Sequence, residues 1–233
     1  TCPGSDRQGP MENEITPATP EEVLDAVAEA LAEETPLEIL GAGTKRNYGR
    51  PAEARRMLSL SRLAGITLYE PNELVMTARP GTPLAEIEAN LDRNGQQLAF
   101  EPADYGPLLE GAEGGNEASG ATIGGIFACN LSGPRRIAAG AARDHILGVK
   151  AVSGRAEAFK SGGRVVKNVT GYDMSKLLTG SFGTLAVMTE VTFKVLPAPE
   201  DSRTVVISGL DDRAALDAMT KALSGPWEVT AAA

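Results

Sequence analysis

The glycine turn in LEILGAGTKRNYGRP, residues 37–51, is the first feature of this sequence whose residue types and spacing could do chemistry. A short apolar run ends there in closely spaced glycines, and such a turn can aim several main-chain N–H groups at a phosphate. A Rossmann site needs the pattern G-x-G-x-x-G leading into a helix. Gly41 and Gly43 fit, but Arg46 takes the third position and the residues NYGRP do not continue as a helix. The turn therefore predicts either an anion-binding loop outside the Rossmann class, with charge from Lys45 and Arg46, or an ordinary turn that ends a strand.

A second glycine-rich segment, SGATIGGIFACNLSG at residues 119–133, also suggests a backbone that approaches a ligand closely. Its glycines are Gly120, Gly124, Gly125 and Gly133. Thr122 precedes an apolar run, which predicts a short helix with Thr122 as its N-cap and with its N-terminus towards an anion. Glycine is a poor helix former, so either ligand contact or close packing against a sheet must account for this composition.

A third segment, GGRVVKNVTGYDMSKLLTGSFGTLAVMTEVTFKVLP at residues 162–197, places glycines and polar residues where strands meet a helix. Lys167 and Tyr172 lie at this junction, and Gly183 and Thr184 lead into a long run typical of a strand. Three such segments, far apart in the chain, predict a long ligand with a diphosphate in its middle.

Helices and strands of ordinary length must position these segments. A capping box at 19–22 predicts a helix over 20–34, and apolar residues at helical spacing predict a second from 83 to 95, capped by Thr82. The predicted strands are 37–40, 56–60, 66–70, 74–78, 97–100, 145–152, 156–160, 163–166 and 185–196. We also predict a short helix at 172–179 and a hairpin turn at Ser161-Gly162.

The ends of the chain and one long loop carry weaker patterns. We expect residues 1–18 to be a disordered leader and residues 102–120 to be a loop rich in glycine and acidic residues. Pro197 and Pro199 predict a domain boundary. Beyond it, TVVIS, a helix at 211–223 and WEVTA are typical of a β-α-β unit, which we expect to begin a truncated second domain.

Composition limits the classes of function. The 233 residues carry a net charge of -9, which argues against non-specific nucleic-acid binding. Two cysteines do not supply the roughly four thiolates of an iron–sulfur cluster, and we predict no metal site. No apolar run approaches the roughly 20 residues of a membrane span and no signal peptide is visible, so we expect a cytoplasmic protein.

Taken together, the ILGAGTKRNYG turn, the GATIGGIFACNLSGPRR segment and above all KNVTGYD…LLTGSFGTLAV carry a family resemblance. Residues from about 17 to 231 resemble the FAD-binding domain of the vanillyl-alcohol oxidase and p-cresol methylhydroxylase (PCMH) flavoproteins. Within that family they look like the FAD-binding subunits of bacterial 2-hydroxy-acid (glycolate) oxidases. The resemblance implies an α+β, two-subdomain PCMH-type FAD-binding fold over 19–199, with subdomains at about 19–101 and 119–199. The start of a truncated α+β cap domain would follow at 200–233.

The resemblance also implies where the cofactor lies. The first turn would hold the diphosphate, the second segment would run along the diphosphate and ribityl chain, and the start of the last strand would meet the adenine half or the flavin edge. The expected FAD-binding residues are Gly41, Ala42, Gly43, Thr44, Lys45, Arg46, Ala121, Thr122, Gly124, Gly125, Asn130, Ser132, Gly133, Lys167, Tyr172, Gly183, Thr184 and Val187. Some relatives attach FAD through a histidine in the first turn; this turn has none, so we expect non-covalent FAD.

Several single residues have competing interpretations. Cys129 and His145 are read as packing residues in preference to reactive ones, and no catalytic residue is assigned because relatives carry theirs mainly in the cap. Arg135-Arg136 would pair with phosphate or with acidic residues of 103–118, and Arg143-Asp144 would brace a loop as an ion pair. Lys167 and Tyr172 have flavin-side and surface roles as alternatives.

The resemblance implies an FAD-dependent oxidoreductase subunit that acts on a small 2-hydroxy acid. An iron–sulfur subunit and a second flavin subunit would be its partners, and any peripheral membrane association would come through them. A non-catalytic flavin-carrying or assembly subunit is the alternative hypothesis. A sugar-nucleotide enolpyruvyl reductase and a nucleotide-binding module of another kind are further alternatives.

Overall fold

The structure is a computed structural model, and it describes residues 14–48, 54–103, 105, 120–164 and 171–232. Its strands are β1 (Glu14–Ile15), β2 (Leu37–Leu40), β3 (Arg56–Ser59), β4 (Ile66–Glu70), β5 (Val75–Ala78), β6 (Gln96–Gln97), β7 (Ile146–Ser153), β8 (Ala158–Gly162), β9 (Ala186–Lys194) and β10 (Leu196–Pro197). Its helices are α1 (Pro20–Ala32), α2 (Leu84–Asp92), α3 (Ile123–Cys129), α4 (Arg136–Ala139), α5 (Ala142–His145), α6 (Met174–Leu178) and α7 (Asp212–Ser224), with a 3₁₀ turn at Pro71–Glu73. None of these helices is long and apolar enough to cross a membrane.

The N-terminal part forms a small parallel sheet in the order β1-β3-β2, covered by α1. Helix α1 begins as predicted, with Thr19 Oγ1 accepting a hydrogen bond from the Glu22 N–H at 3.2 Å. Val23 and Val27 of α1 pack with Leu58 of β3 in the smaller of the two hydrophobic cores. Strand β2 lies at the edge of this sheet, which leaves it available to form the wall of a cleft.

The larger sheet has five antiparallel strands in the order β4-β5-β9-β7-β8. Helices α2 and α3 pack on it, and the main core contains Phe100, Phe127 and Phe193. The last strand of the first sheet ends at Ser59. The next two strands, β4 and β5, belong to the larger sheet, where β5 pairs with β9. The division between sheets therefore lies earlier in the chain than the subdomain boundary that we expect between 101 and 119.

Several local predictions are wrong, each for a physical reason. Glu14–Ile15 are not disordered, because they pair with β3 and Ile15 packs against the smaller core. Thr82 does not cap α2; its Oγ1 donates to the Arg79 carbonyl at 2.7 Å instead. Ser161-Gly162 are not a turn but the end of β8, and the β7–β8 connection comes earlier, at 154–157.

Three apolar runs that we predicted as strands also differ from the prediction. Only Gln96–Gln97 of the region before Phe100 form a strand, paired with Leu196–Pro197. Residues 204–208 and 227–231 form no strand, although α7 lies where it was predicted. Val205 and Val206 remain 83% and 80% exposed, so no neighbouring strand of the described chain covers these residues.

Candidate functional site

A cleft of about 250 Å³ lies where β2 and its turn, α3 and the loop before β9 meet. Eleven of the residues expected at the cofactor line it: Gly41, Ala42, Gly43, Thr44, Lys45, Arg46, Thr122, Gly124, Gly125, Gly183 and Thr184. Parts of all three glycine-rich segments therefore lie in one cleft. Its volume lies just below the roughly 300–1,000 Å³ of small-molecule sites, so it suits part of a long nucleotide.

The first turn and α3 approach each other closely at Gly41. A Cβ at this position would overlap the Thr122 hydroxyl, so only glycine allows the contact. A Cβ at Gly183 would lie 3.3 Å from the Ile39 Cβ of β2, and the positive φ of +73° independently favours glycine there. The close approaches at Gly41 and Gly183 hold the three segments together around the cleft.

The first turn has the geometry of an anion-binding nest. Gly43 has a left-handed φ of +79°, and the turn is closed by hydrogen bonds from the Arg46 N–H to the Gly43 carbonyl at 3.1 Å and from the Tyr48 N–H to the Lys45 carbonyl at 3.0 Å. Within the part of the chain that the structure describes, the main-chain N–H groups of residues 42–44 donate to no acceptor. A row of unpaired amides in a concave turn suits a phosphate.

The two basic side chains of the turn are held differently. Lys45 Nζ donates to Thr44 Oγ1 at 3.0 Å and lies beside the cleft wall formed by Gly125. Arg46 makes a bidentate ion pair with Glu38 of β2, with Nε–Oε1 and Nη2–Oε2 distances of 3.0 Å and 2.8 Å. The Lys45 ammonium group therefore lies at the cleft wall, while Glu38 balances charge on Arg46.

The N-terminus of α3 does not point its amides at an anion as the sequence suggested. The Ile123 N–H donates to the Thr82 carbonyl and the Gly124 N–H to the Pro80 carbonyl, both at 2.9 Å. The Gly125 N–H donates to the capping Thr122 Oγ1 at 3.4 Å. A Cβ at Gly124 would come within 2.8 Å of the Pro80 carbonyl oxygen, so this glycine serves packing.

Ala121, Asn130, Ser132 and Gly133 do not line the cleft. Asn130 Oδ1 accepts from the Arg143 N–H at 3.0 Å, and Ser132 Oγ accepts from the Ala142 N–H at 2.9 Å. These bonds fasten the loop after α3 to the start of α5. The hydrogen bonds of Asn130 and Ser132 are therefore structural. That these two residues also hold the cofactor stays a prediction.

Val187 is also outside the cleft. It pairs with Val152 in the sheet and packs in the smaller core. Its neighbours Ala186 and Met188, which alternate with it along β9, line the cleft instead. Tyr172 is 90% exposed and lies apart from the cleft, and Lys167 lies outside the described residues.

The paired-charge predictions have mixed outcomes. Arg135 donates to Glu101 and Gln97, both at 3.2 Å, so it pairs just before the acidic loop of 103–118, most of which lies outside the described residues. Arg143 and Asp144 form no ion pair with each other in the described chain; Asp144 Oδ2 instead accepts from the Ala141 N–H at 2.9 Å. The loop is braced there by a capping carboxylate, not by a salt bridge.

Sequence reasoning missed several cleft residues, among them Tyr48, Phe182 and the residues of β2. Cys129 was read as a packing thiol, and it does pack against the main core, but it lines the cleft as well. Burial raises the pKa of the Cys129 thiol, and the nearby Lys45 charge acts in the opposite direction. At neutral pH the thiol is therefore in its protonated, unreactive form.

His145 is a core residue, as expected. It is fully buried, its Nε2 hydrogen-bonds with the Ala139 carbonyl at 2.9 Å, and its ring lies 5.1 Å from that of Phe100. Burial lowers its pKa, the Lys194 charge adds to this, and Asp144 and the hydrogen bonds to main-chain groups oppose it. His145 lies at the end of α5, away from the cleft-lining residues.

The lowered pKa of His145 leads us to expect a loss of stability in mild acid. Because its pKa is lower in the folded chain than the usual value of about 6.5, the unfolded chain takes up the proton first. The free energy of unfolding should keep its full value above about pH 6.5 and fall as the pH drops below that value. We expect the free energy of urea unfolding to decrease from about pH 7.5 to about pH 5.5, before the carboxylates titrate. His145 is the only histidine, so His145→Leu should flatten this dependence while FAD binding is unchanged.

Comparisons with known proteins identify the domain. Residues 12–162, well over half of the chain, match the family described as FAD binding domain. Glycolate oxidase subunit GlcE of Escherichia coli K12 is 44% identical over 77% of this chain and 48% of that protein. D-lactate dehydrogenase of Archaeoglobus fulgidus is 30% identical over 83% of this chain and 40% of that protein. The chain thus spans less than half of the length of these relatives.

The fold has a solved counterpart. A structure of alkyldihydroxyacetonephosphate synthase superposes with a TM-score of 0.61 at 19% identity, over 81% of this chain and 32% of that one. At this identity the likeness concerns the fold alone, and it confirms the predicted α+β PCMH-type architecture. The cofactor of this domain is FAD, and the chain belongs to the FAD binding domain family.

Proposed function

We propose that this chain is the FAD-binding subunit of a 2-hydroxy-acid oxidase or dehydrogenase complex, with glycolate as the leading substrate. The observation that carries the proposal is the cleft in which the nest at 42–44, α3 and the loop at 182–184 meet. Its support from relatives is the 44% identity with a glycolate oxidase subunit, together with D-lactate dehydrogenases at lower identity.

The residues of the cleft fit a dinucleotide with a central diphosphate. The unpaired amides of 42–44 would donate to the diphosphate, and Lys45 would balance part of its charge. Gly125 leaves space where a side chain would otherwise stand beside Lys45. No histidine is among the described residues that line the cleft, in keeping with non-covalent FAD. When bound, FAD supplies the redox chemistry, and the chain contributes binding, orientation and charge.

We further propose that the FAD-binding unit extends to residue 199 and that 200–233 begin a cap domain. Main-chain bonds tie the chain to the core as far as Ala198, whose N–H donates to the Gly95 carbonyl at 2.7 Å. After this point the residues of 200–210 are exposed. Such a segment requires further surface to cover its apolar residues, and a cap domain would provide it.

Electrons would leave through partner subunits of the complex. Two cysteines are too few for an iron–sulfur cluster, so an iron–sulfur relay would belong to a partner chain. A second flavin subunit would complete the complex, which we place in the cytoplasm with any membrane contact made through its partners. This arrangement rests on the resemblance to glycolate oxidase subunits.

A non-catalytic flavin carrier is the second candidate, since the titratable side chains that line the described cleft do not by themselves provide a base for a substrate. Those among the described lining residues are Glu38, Lys45, Arg46, Tyr48 and Cys129. Glu38 is held in an ion pair with Arg46, and the Cys129 thiol has a raised pKa. Neither side chain is suited to remove a proton from a substrate, so a base would have to come from outside the described cleft.

Spectroscopy of the purified full-length protein tests both candidates. We expect a yellow protein whose chromophore is released as FAD on heating, because the cofactor is not covalently attached. Anaerobic addition of glycolate should bleach the flavin band if the subunit is catalytic. Persistent colour after glycolate would favour the carrier, whereas a protein that stays colourless after incubation with FAD would overturn the proposed function.

A further inference from the structure

Two stacked aromatic rings stand at the rim of the cleft. The rings of Tyr48 and Phe182 have centroids 5.7 Å apart and an interplanar angle of 21°. Both residues line the cleft, yet they are 43% and 48% exposed. Tyr105 adds a third ring, 6.1 Å from that of Tyr48. We call the Tyr48–Phe182 pair the aromatic rim.

The rim residues are fixed in place by the main chain. Phe182 has a left-handed φ of +55°, which is unfavourable for a bulky residue. Its N–H donates to the Ala128 carbonyl at 2.8 Å, and the Gly180 N–H donates to the Phe127 carbonyl at 3.0 Å. These bonds fasten the loop to the C-terminal turn of α3, so the ring is held on the rim despite the strained backbone.

The rim also stands beside the nest. Tyr48 closes the same turn that carries the unpaired amides of 42–44, through its hydrogen bond to the Lys45 carbonyl. A dinucleotide carries a planar ring system on each side of its diphosphate. A ligand whose phosphates lie in that turn would therefore have a ring within reach of Tyr48 and Phe182, which line the same cleft.

We propose that the aromatic rim is a stacking platform for one planar heteroaromatic ring of the bound nucleotide, isoalloxazine or adenine. This inference rests on the proposed function and deepens it by assigning a positioning role to Tyr48 and Phe182. Stacking suits either ring because each presents a π-face, and a rigid platform orients the ring at low entropic cost.

Binding measurements on the full-length protein test the platform. Phe182→Leu and Tyr48→Leu keep apolar bulk but remove the ring, so each should weaken FAD binding roughly tenfold, the size expected for one lost stacking contact. Phe182→Tyr restores a ring and should bind FAD like the wild type. Trp227→Leu is the matched control, since Trp227 is an exposed aromatic residue away from the cleft.

Titrations with FMN and with ADP identify the ring. If isoalloxazine stacks on the rim, the leucine variants lose affinity for FMN and keep their affinity for ADP. If adenine stacks there, the pattern reverses, and either pattern supports the platform. Calorimetric unfolding checks that each variant is folded. If Phe182→Leu does not fold, the FAD affinities of Tyr48→Leu and Phe182→Tyr decide whether the rim stacks on the ligand.

The possible failures are distinguishable. Wild-type protein that binds no FAD would overturn the proposed function and the platform with it. Wild-type protein that binds FAD, with folded leucine variants that bind it equally well, would overturn the platform alone.

Discussion

Gly125→Val is expected to weaken FAD binding roughly 10- to 100-fold without unfolding the protein, because about 1–3 kcal/mol is typical of an overfilled site. A Cβ at Gly125 meets Thr122 Oγ1 at 3.4 Å and Lys45 Nζ at 3.8 Å, which are ordinary contacts. The two further methyl groups would occupy the space beside Lys45 where we propose that the diphosphate lies. Valine is also a better helix residue than glycine, so α3 itself is not weakened. Equilibrium dialysis or fluorescence titration with FAD measures the change.

Two companion glycines separate binding from folding in this experiment. Gly124→Val should lower the free energy of unfolding, because its Cβ would lie 2.8 Å from the Pro80 carbonyl oxygen. Gly154→Val is the neutral control, since a Cβ there meets nothing within 4 Å and the residue lies in the β7–β8 connection. If Gly125→Val binds FAD as the wild type does while remaining folded, the diphosphate does not lie along this wall of the cleft.

The parts of the site that sequence predicted are those encoded locally. The turn at 41–46 follows an apolar strand, and its glycines give the positive φ of Gly43 and the close approach at Gly41. Helix α3 could be placed because Thr122 is a strong N-cap type followed by an apolar run, and the structure has that cap. Local backbone chemistry of this kind depends on a few neighbouring residues, so it can be read from a single sequence.

The parts that sequence did not predict depend on partners that come together only in the folded chain. Glu38 neutralises Arg46, and the carbonyls of Pro80 and Thr82 accept the amides at the start of α3. A basic side chain or a helix N-terminus looks available in a sequence because its partners in the fold are unknown. Fewer main-chain N–H groups, and less unbalanced positive charge, therefore face the cleft than the sequence suggested.

Strand patterns failed where apolar residues had no strand to pair with. Residues 204–208 have a strand composition, but Val205 and Val206 are exposed and no strand of the described chain pairs with them. Val187 was correctly placed in a strand, but its backbone pairs with Val152 and the cleft is lined by its neighbours Ala186 and Met188. Alternation along the strand fixes which residues share a side, and only the tertiary structure shows which side the cleft lies on.

Lys45→Met is the second change with a large expected effect. Lys45 lies beside the nest at 42–44 and Gly125, so its ammonium group is placed to bond a phosphate oxygen. A hydrogen bond to a charged group contributes about 1.5–3 kcal/mol, which corresponds to a roughly 10- to 100-fold weaker binding of FAD once it is lost. Added salt should also weaken FAD binding by the wild type, because salt screens the attraction between Lys45 and the phosphate. The affinity of the variant should depend less on salt, because it lacks this charge.

The Cys129 thiol offers a second measurement that needs no bound FAD. The Lys45 charge lowers the pKa of this thiol against the larger effect of burial, so Lys45→Met should raise it. Alkylation of the folded protein as a function of pH would then shift to higher pH. Lys160→Met, on the exposed side of β8, is the matched control and should change neither FAD binding nor thiol reactivity. A shift in thiol reactivity without any loss of FAD affinity would mean that Lys45 lies in the cleft as the structure has it but that the diphosphate lies elsewhere.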